Sequence, residues 1–233
     1  MALQQNVIEC NGEKFDHYYL CHYRPQSSGS DKLSQSLIRF KNGWSVDGNA
    51  WMSCSIEELQ KITFKGKVLL LRALHSNEIT VSKNSNTSLD RLCRSIGQEM
   101  NFIYRPEFLG KKRKTRPAKL LSRSDRETEL HDVYLFSGKL IDFEEILVVD
   151  DILTTGQTLR AIMKAIRSIM NCPITLYTLA CTDHQSILNI TLQLRSPAYR
   201  WEPRQGWGIA QDSKAIYSSL QALKHQILSD FLE

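Results

Sequence analysis

The sequence has no Cys-x-x-Cys pair, no long apolar stretch, no internal repeat and no low-complexity linker. The six cysteines stand apart at positions 10, 21, 54, 93, 172 and 181, which argues against a zinc ribbon or a dithiol redox motif. Scattered cysteines without an export signal are expected as free thiols in a reducing cytoplasm. The start, MALQQNVIEC, lacks a basic segment followed by an apolar run, so no secretory leader is expected. The longest apolar runs, Val68 to Leu71 and Ile146 to Val149, fall far short of the about 20 residues of a membrane span. They have the length of buried strands, and no membrane partner is expected. Charge of one sign is also scarce: the net of +5 is too mild by itself to require a nucleic-acid partner. Part of that excess is gathered in Lys111 to Arg116.

What is present is enough for a core. With 233 residues, 42% of them apolar, the chain suits one large α/β domain, alone or with additions at its ends. Residues 1 to 60 are mixed, with a polar break at Gln26 to Asp31 and glycine turns at Gly43 and Gly48. Val68 to Leu74, Asn101 to Tyr104, Ile146 to Val149 and Ile174 to Cys181 read as short strands. Leu89, Leu92, Cys93 and Ile96 fall at helical spacing behind Ser88 as an N-cap. A second helix carries Leu159, Ile162, Met163, Ile166, Ile169 and Met170 on one face. Ile216, Leu220, Leu223, Ile227 and Phe231 mark a C-terminal amphipathic helix. Alternating strands and helices predict a mostly parallel sheet with helices on both faces.

The chemistry concentrates in ILVVDDILTTGQTLRAIMKAI, residues 146–166. A strand ends in two carboxylates, a hydroxyl-rich turn follows, and a helix begins. The first turn of that helix leaves backbone N–H groups unpaired, and its dipole favours an anion there. Thr154, Thr155 and Thr158 add hydroxyl donors, Gln157 stands among them, and Gly156 lets a phosphate approach the backbone. Such a turn suits one phosphate monoester. Asp150 and Asp151 repel phosphate, so their natural partners are sugar hydroxyls or a hydrated Mg²⁺. A phosphate cradle beside two diol-binding acids describes a ribose 5-phosphate site. A nucleotide P-loop does not fit, because Gln157 stands where that motif needs lysine. A plain strand, polar turn and capped helix is the bland alternative.

Four aliphatics, Asp-Asp, two residues and Thr-Thr-Gly-x-Thr resemble the phosphoribosyl-diphosphate (PRPP) signature of type I phosphoribosyltransferases. Within them the chain is most similar to the ComF-type competence family, over about Leu33 to Asp183. LIRFKNG (Leu37 to Gly43), KNSNTSLDRLCRSIG (from Lys83) and LGKKRKTRPAKLLSRSDRETEL (from Leu109) carry the wider resemblance. In the last stretch the matching positions are Thr115, Leu121, Ser122, Arg123 and Arg126. The resemblance implies a hood at 1–60, a core at 61–185 and a C-terminal extension at 186–233. It implies Asp150 and Asp151 on the ribose diol, Thr154 to Thr158 on the 5′-phosphate, and Mg²⁺ carried by PRPP, through the two acids at most. It makes Arg72 to His75 a diphosphate loop and the basic tract a loop that closes over PRPP, with Arg72 and Lys112 as diphosphate partners. The chain departs from the family at Arg72-Ala73-Leu74, where relatives have Pro-Val-Pro, and at Lys83 to Thr87, where they have Arg-Gly-Phe-Asn-Gln. Thr154 replaces the aspartate of hypoxanthine-type enzymes.

The implied activity is transfer of a phosphoribosyl group to an unidentified acceptor with loss of diphosphate. The competing expectation is a non-catalytic module that binds PRPP or a nucleotide and assists DNA handling. Lys111 to Arg116 reads as a closing loop, a solvated loop or a contact for single-stranded DNA. Cys10, His17, Cys21 and His22 can ligate metal, although packing is the plainer role. Trp44, Trp51, Trp201 and Trp207 suit base stacking or packing. His75 suits a leaving-group role or simple exposure. The C-terminal helix suits a homodimer contact or packing on its own chain.

Overall fold

The computed structural model describes residues 3–25, 31–43, 45–82, 85–117, 123–138 and 142–182. The expected C-terminal helix, Trp44, Trp201, Trp207, Lys83, Asn84, Leu121 and Ser122 lie outside them, as does most of the polar break before Asp31. So do the side chains of Arg123 and Arg126.

The chain opens with β1 (Gln4–Cys10) and β2 (Glu13–Tyr23), an antiparallel hairpin in which Cys10 faces Glu13. Asn11 and Gly12 turn it with φ of 53° and 78°, the left-handed pair that a two-residue hairpin requires. Next come α1 (Lys32–Lys41), α2 (Ser45–Leu59), β3 (Val68–Arg72), α3 (Ser88–Glu99) and β4 (Ile103–Tyr104). After them follow β5 (Leu109–Lys111), α4 (Arg123–Leu130), β6 (Tyr134–Phe136), β7 (Glu145–Leu153), α5 (Gln157–Arg167) and β8 (Ile174–Thr182).

Six strands form one sheet in the order β1-β2-β8-β7-β3-β4, parallel throughout except for β1 against β2. β5 and β6 make a separate antiparallel pair. Residues 4–59, within the stretch expected to be a hood, supply the edge hairpin and two helices of the main body.

Alternation along the central strands feeds two cores. Ile146 and Val148 of β7 pack with Leu159, Ile162, Met163 and Ile166 of α5 on one face. Leu147 and Val149 pack with Leu37 and Phe40 of α1, Trp51 of α2 and Leu92 and Ile96 of α3 on the other. Successive strand residues point to opposite faces, so unbroken aliphatic runs are what a sheet covered on both sides needs. α3 is capped by Thr87, whose Oγ1 accepts from the Asp90 N–H at 3.2 Å. Ser88, the expected cap, is instead the first helical residue, and its buried hydroxyl has no partner.

His17 sits fully buried between β1 and β8, with Nδ1 2.7 Å from Asn6 Oδ1 and Nε2 2.8 Å from Thr178 Oγ1. Both ring nitrogens are thus used by packing partners. All six cysteines are free thiols, and among the described residues no three metal-capable side chains converge. Burial pulls the His17 pKa down to about 4. An unfolded histidine titrates near about 6.5, so the fold loses stability as the pH drops from there towards 4. The expected loss over that window is about 3 kcal/mol, read from urea unfolding at a series of pH values. A His17→Gln variant should show a shallower slope; an equal slope would contradict a neutral buried ring.

Candidate functional site

The chain leaves β3 towards α3 on one face of the sheet and leaves β7 towards α5 on the other. Adjacent strands whose connections diverge leave a crevice outside their carboxyl ends, where open α/β sheets bind ligands. Asp150 and Asp151 lie towards the carboxyl end of β7 at that crevice, beside the end of β3.

As neighbours on one strand, the two acids leave it on opposite sides. Asp150 is half-buried, and its Oδ1 accepts from the Asp151 N–H at 2.8 Å. Asp151 is buried; its Oδ1 accepts from the Ile152 N–H at 2.7 Å. Its Oδ2 meets the Lys41 ammonium, also at 2.7 Å. Burial, and then the adjacent Asp151 charge, hold Asp150 well above the usual carboxylate range. Burial lowers the Lys41 pKa, but the Asp151 and Asp150 charges outweigh it and leave the ammonium stabilised.

The turn after β7 has the expected form. Gly156 adopts φ 75° and ψ 3° and caps α5 without a side-chain cap hydrogen bond. Thr154 is exposed; Thr155, Gln157 and Thr158 are half-buried. Arg160 braces the turn from behind, donating from Nη1 to Thr155 O at 2.7 Å and from Nε to Glu9 O at 3.0 Å. A Cβ at Gly156 would sit 2.9 Å from Arg160 Nη1, a side-chain end that can move. The left-handed backbone is the harder constraint. Gly156→Ala should therefore cost about 1–2 kcal/mol of folding stability, measured by chemical denaturation. An unchanged midpoint would mean that the turn is not left-handed.

The two expected diphosphate partners differ in placement, Arg72 being buried and Lys112 exposed. Arg72 is fully buried, and all five of its N–H groups are taken. Nε donates to Asp90 Oδ1 at 2.6 Å, and the two Nη groups serve Glu78, Asp90 and Ala73 O. It is an internal clamp, because a guanidinium this far from water must be paired. Glu78 also accepts from the His75 N–H at 2.7 Å, so that loop amide is taken as well. His75 is half-buried, and burial lowers its pKa.

Lys112 is exposed, while its neighbour Lys111 is buried in β5. The Lys111 ammonium donates to His75 O at 2.9 Å and Leu74 O at 3.2 Å, pinning the loop after β3. Burial pulls its pKa to about 8. Arg113 and Arg116 both grip the Glu129 carboxylate, at 2.8 and 3.1 Å. Of the basic side chains in the tract Lys111 alone is buried, while Lys112, Arg113, Lys114 and Arg116 stay exposed. Lys111, the first residue of the stretch read as a loop, instead ends the strand β5. The sequence reading also missed Lys41 and Lys111 as site residues. Lys41 stood in the LIRFKNG stretch but carried no role there. Trp51 is buried, donating from Nε1 to Ser36 Oγ at 3.2 Å.

The acid pair does not make a ready metal site. Both Asp151 oxygens are engaged and one Asp150 oxygen is used locally. A hollow of about 330 Å³ lies at the other end of the sheet, lined by Lys14, Lys65, Glu145, Arg167 and others. It is remote from the two acids, and its charges are of both signs.

These features place two carboxylates and a glycine-capped helix start at the β7–α5 junction of an α/β fold. Residues 84–191, somewhat less than half of the chain, match the family model described as the phosphoribosyl transferase domain. No curated protein matches the chain. Among solved structures it is similar to an adenine phosphoribosyl transferase from Trypanosoma brucei in complex with AMP, pyrophosphate and ribose-5-phosphate. There the identity is 9% and the TM-score 0.38, covering 86% of this chain and 95% of that one. The Leishmania tarentolae adenine phosphoribosyltransferase gives 11% identity and a TM-score of 0.38, covering 76% and 94%. The Saccharomyces cerevisiae enzyme gives 14% and 0.32, covering 81% and 89%. Scores this low carry no argument about activity. Among the described residues, no helix is long and apolar enough to cross a membrane.

Proposed function

We propose that this chain binds PRPP, or a related ribose 5-phosphate compound, and transfers its phosphoribosyl group to an acceptor with loss of diphosphate. One observation carries the reading: two carboxylates at a strand end stand beside a helix start whose cap residue, Gly156, brings no side chain of its own to the first amides. The amides and hydroxyls from Thr154 to Thr158 would hold the 5′-phosphate, and Asp150 and Asp151 the ribose hydroxyls. Magnesium would arrive on the diphosphate of PRPP rather than on the acids. Lys112, exposed next to Lys111, is the cation assigned to the departing diphosphate. Arg72 acts indirectly, by holding the loop of residues 73–78 around its guanidinium. Residues 1–60 as a hood, 61–185 as the core and 186–233 as an extension are part of this reading, as are a cytoplasmic setting and a homodimer.

A second reading is a non-catalytic PRPP or nucleotide sensor, in keeping with the ComF-type resemblance and with DNA handling. It is favoured by Glu78, a carboxylate that takes the His75 amide in the loop expected to receive diphosphate. Lys112 and Lys114 would then offer a single-stranded DNA contact with strong salt dependence.

Calorimetric titration with PRPP, followed by assay of diphosphate release over a panel of acceptors, tests both. Binding with acceptor-dependent release is the expected result. Binding without release selects the second reading, and no binding contradicts both.

A further inference from the structure

We propose that Lys41 is the resident counter-ion of the acid pair, standing where other carboxylate pairs hold a divalent cation, so that ribose 5-phosphate binds here without metal on the acids. The inference rests on the phosphoribosyl reading above.

A surface lysine beside an acid ordinarily means little, since exposed ion pairs contribute almost nothing. This pair is one-sided. The Asp151 side chain is 10% exposed, and that of Lys41 47%. Lys41 is also delivered by an anchored helix. α1 is capped by Asp31, which accepts from the Ser34 N–H at 2.7 Å. Leu37 and Phe40 are each 1% exposed, and Arg39 is tied to Asp47 of α2 at 2.8 Å. The ammonium is therefore aimed before any ligand arrives, and about half of the Lys41 side chain stays exposed.

Hard divalent cations take carboxylate oxygens at short range and need several of them. At Asp151 such a cation would have to displace the ammonium or share Oδ2 with it, against like-charge repulsion. Asp150 alone offers too few oxygens. Meanwhile two adjacent acids with no cation would repel a phosphate dianion. Lys41 offsets that repulsion while leaving the acids able to accept from a sugar hydroxyl. It is a positioning residue by this account, and its signature is replacement by a metal ion.

The test is binding of ribose 5-phosphate, chosen because it carries no diphosphate to chelate magnesium. Affinity is measured calorimetrically in EDTA and in millimolar Mg²⁺ for wild type, Lys41→Met and Lys41→Arg. Wild type and Lys41→Arg should bind equally well in both conditions. Lys41→Met, which keeps the apolar stem, should lose about tenfold in EDTA and recover most of it with Mg²⁺. Equal loss in both conditions would assign Lys41 a structural or direct ligand contact and overturn the proposal. So would no loss, or a wild type that needs Mg²⁺. If wild type binds no ribose 5-phosphate in either condition, the parent reading falls and the inference with it.

Discussion

Changing both acids, Asp150→Asn with Asp151→Asn, is expected to weaken ribose 5-phosphate binding by more than tenfold. Hydrogen bonds to charged groups contribute about 1.5–3 kcal/mol each, and tenfold in affinity is about 1.4 kcal/mol. An amide keeps one acceptor, but it cannot match the charge that a ribose hydroxyl meets here. Folding should survive the change. Burial already disfavours ionised Asp150, so neutralising it removes a cost of folding rather than a support. Asp151 loses only its pair with a half-exposed lysine. Thermal melting beside the calorimetry separates the two effects. Unchanged affinity in a folded double variant would remove the acids from the site.

The largest effect on stability belongs to the clamp under the crevice. Arg72 and Asp90 have fully buried side chains 2.6 Å apart. Asp90 also accepts from Tyr104 Oη at 2.8 Å, from Thr87 Oγ1 at 2.9 Å and from Ser85. Burial works against its ionisation, but hydrogen bonds, that from Arg72 foremost, still hold its pKa down to about 2. Removing one member strands a buried charge, so Arg72→Met or Asp90→Asn should each cost about 3–5 kcal/mol in denaturant unfolding. The double variant should cost less than the sum of the two, because the charges vanish together. Costs near zero for either single change would mean that the pair is open to water.

That clamp also shows where the sequence was readable and where it was not. β3, β7, β8 and α5 were legible because a strand buried on both faces is a short aliphatic run, and an amphipathic helix repeats every three or four residues. Asp150 to Thr158 was legible because the whole strand–turn–helix unit is local. Arg72 was not, because its partners lie 6 and 18 residues along the chain. Beside a crevice, a cation read in isolation resembles a ligand contact. Lys111 and Lys112 differ only in the register of β5 against β6, where Lys111 faces Tyr134. Nothing local chooses between two adjacent lysines. Lys41 reaches Asp151 across the stacking of α1 on the sheet, a distance that no motif spans. The β1–β2 hairpin had a usable signal in Asn11-Gly12, masked by the charged residues that alternate along its strands.

The most direct measurement is an amide NMR titration of the wild-type protein with ribose 5-phosphate. The account predicts the largest shifts at the N–H groups from Thr155 to Leu159, with smaller ones at Asp150, Asp151 and Lys41. Shifts gathered instead around Lys65, Glu145 and Thr175, or none at all, would contradict it.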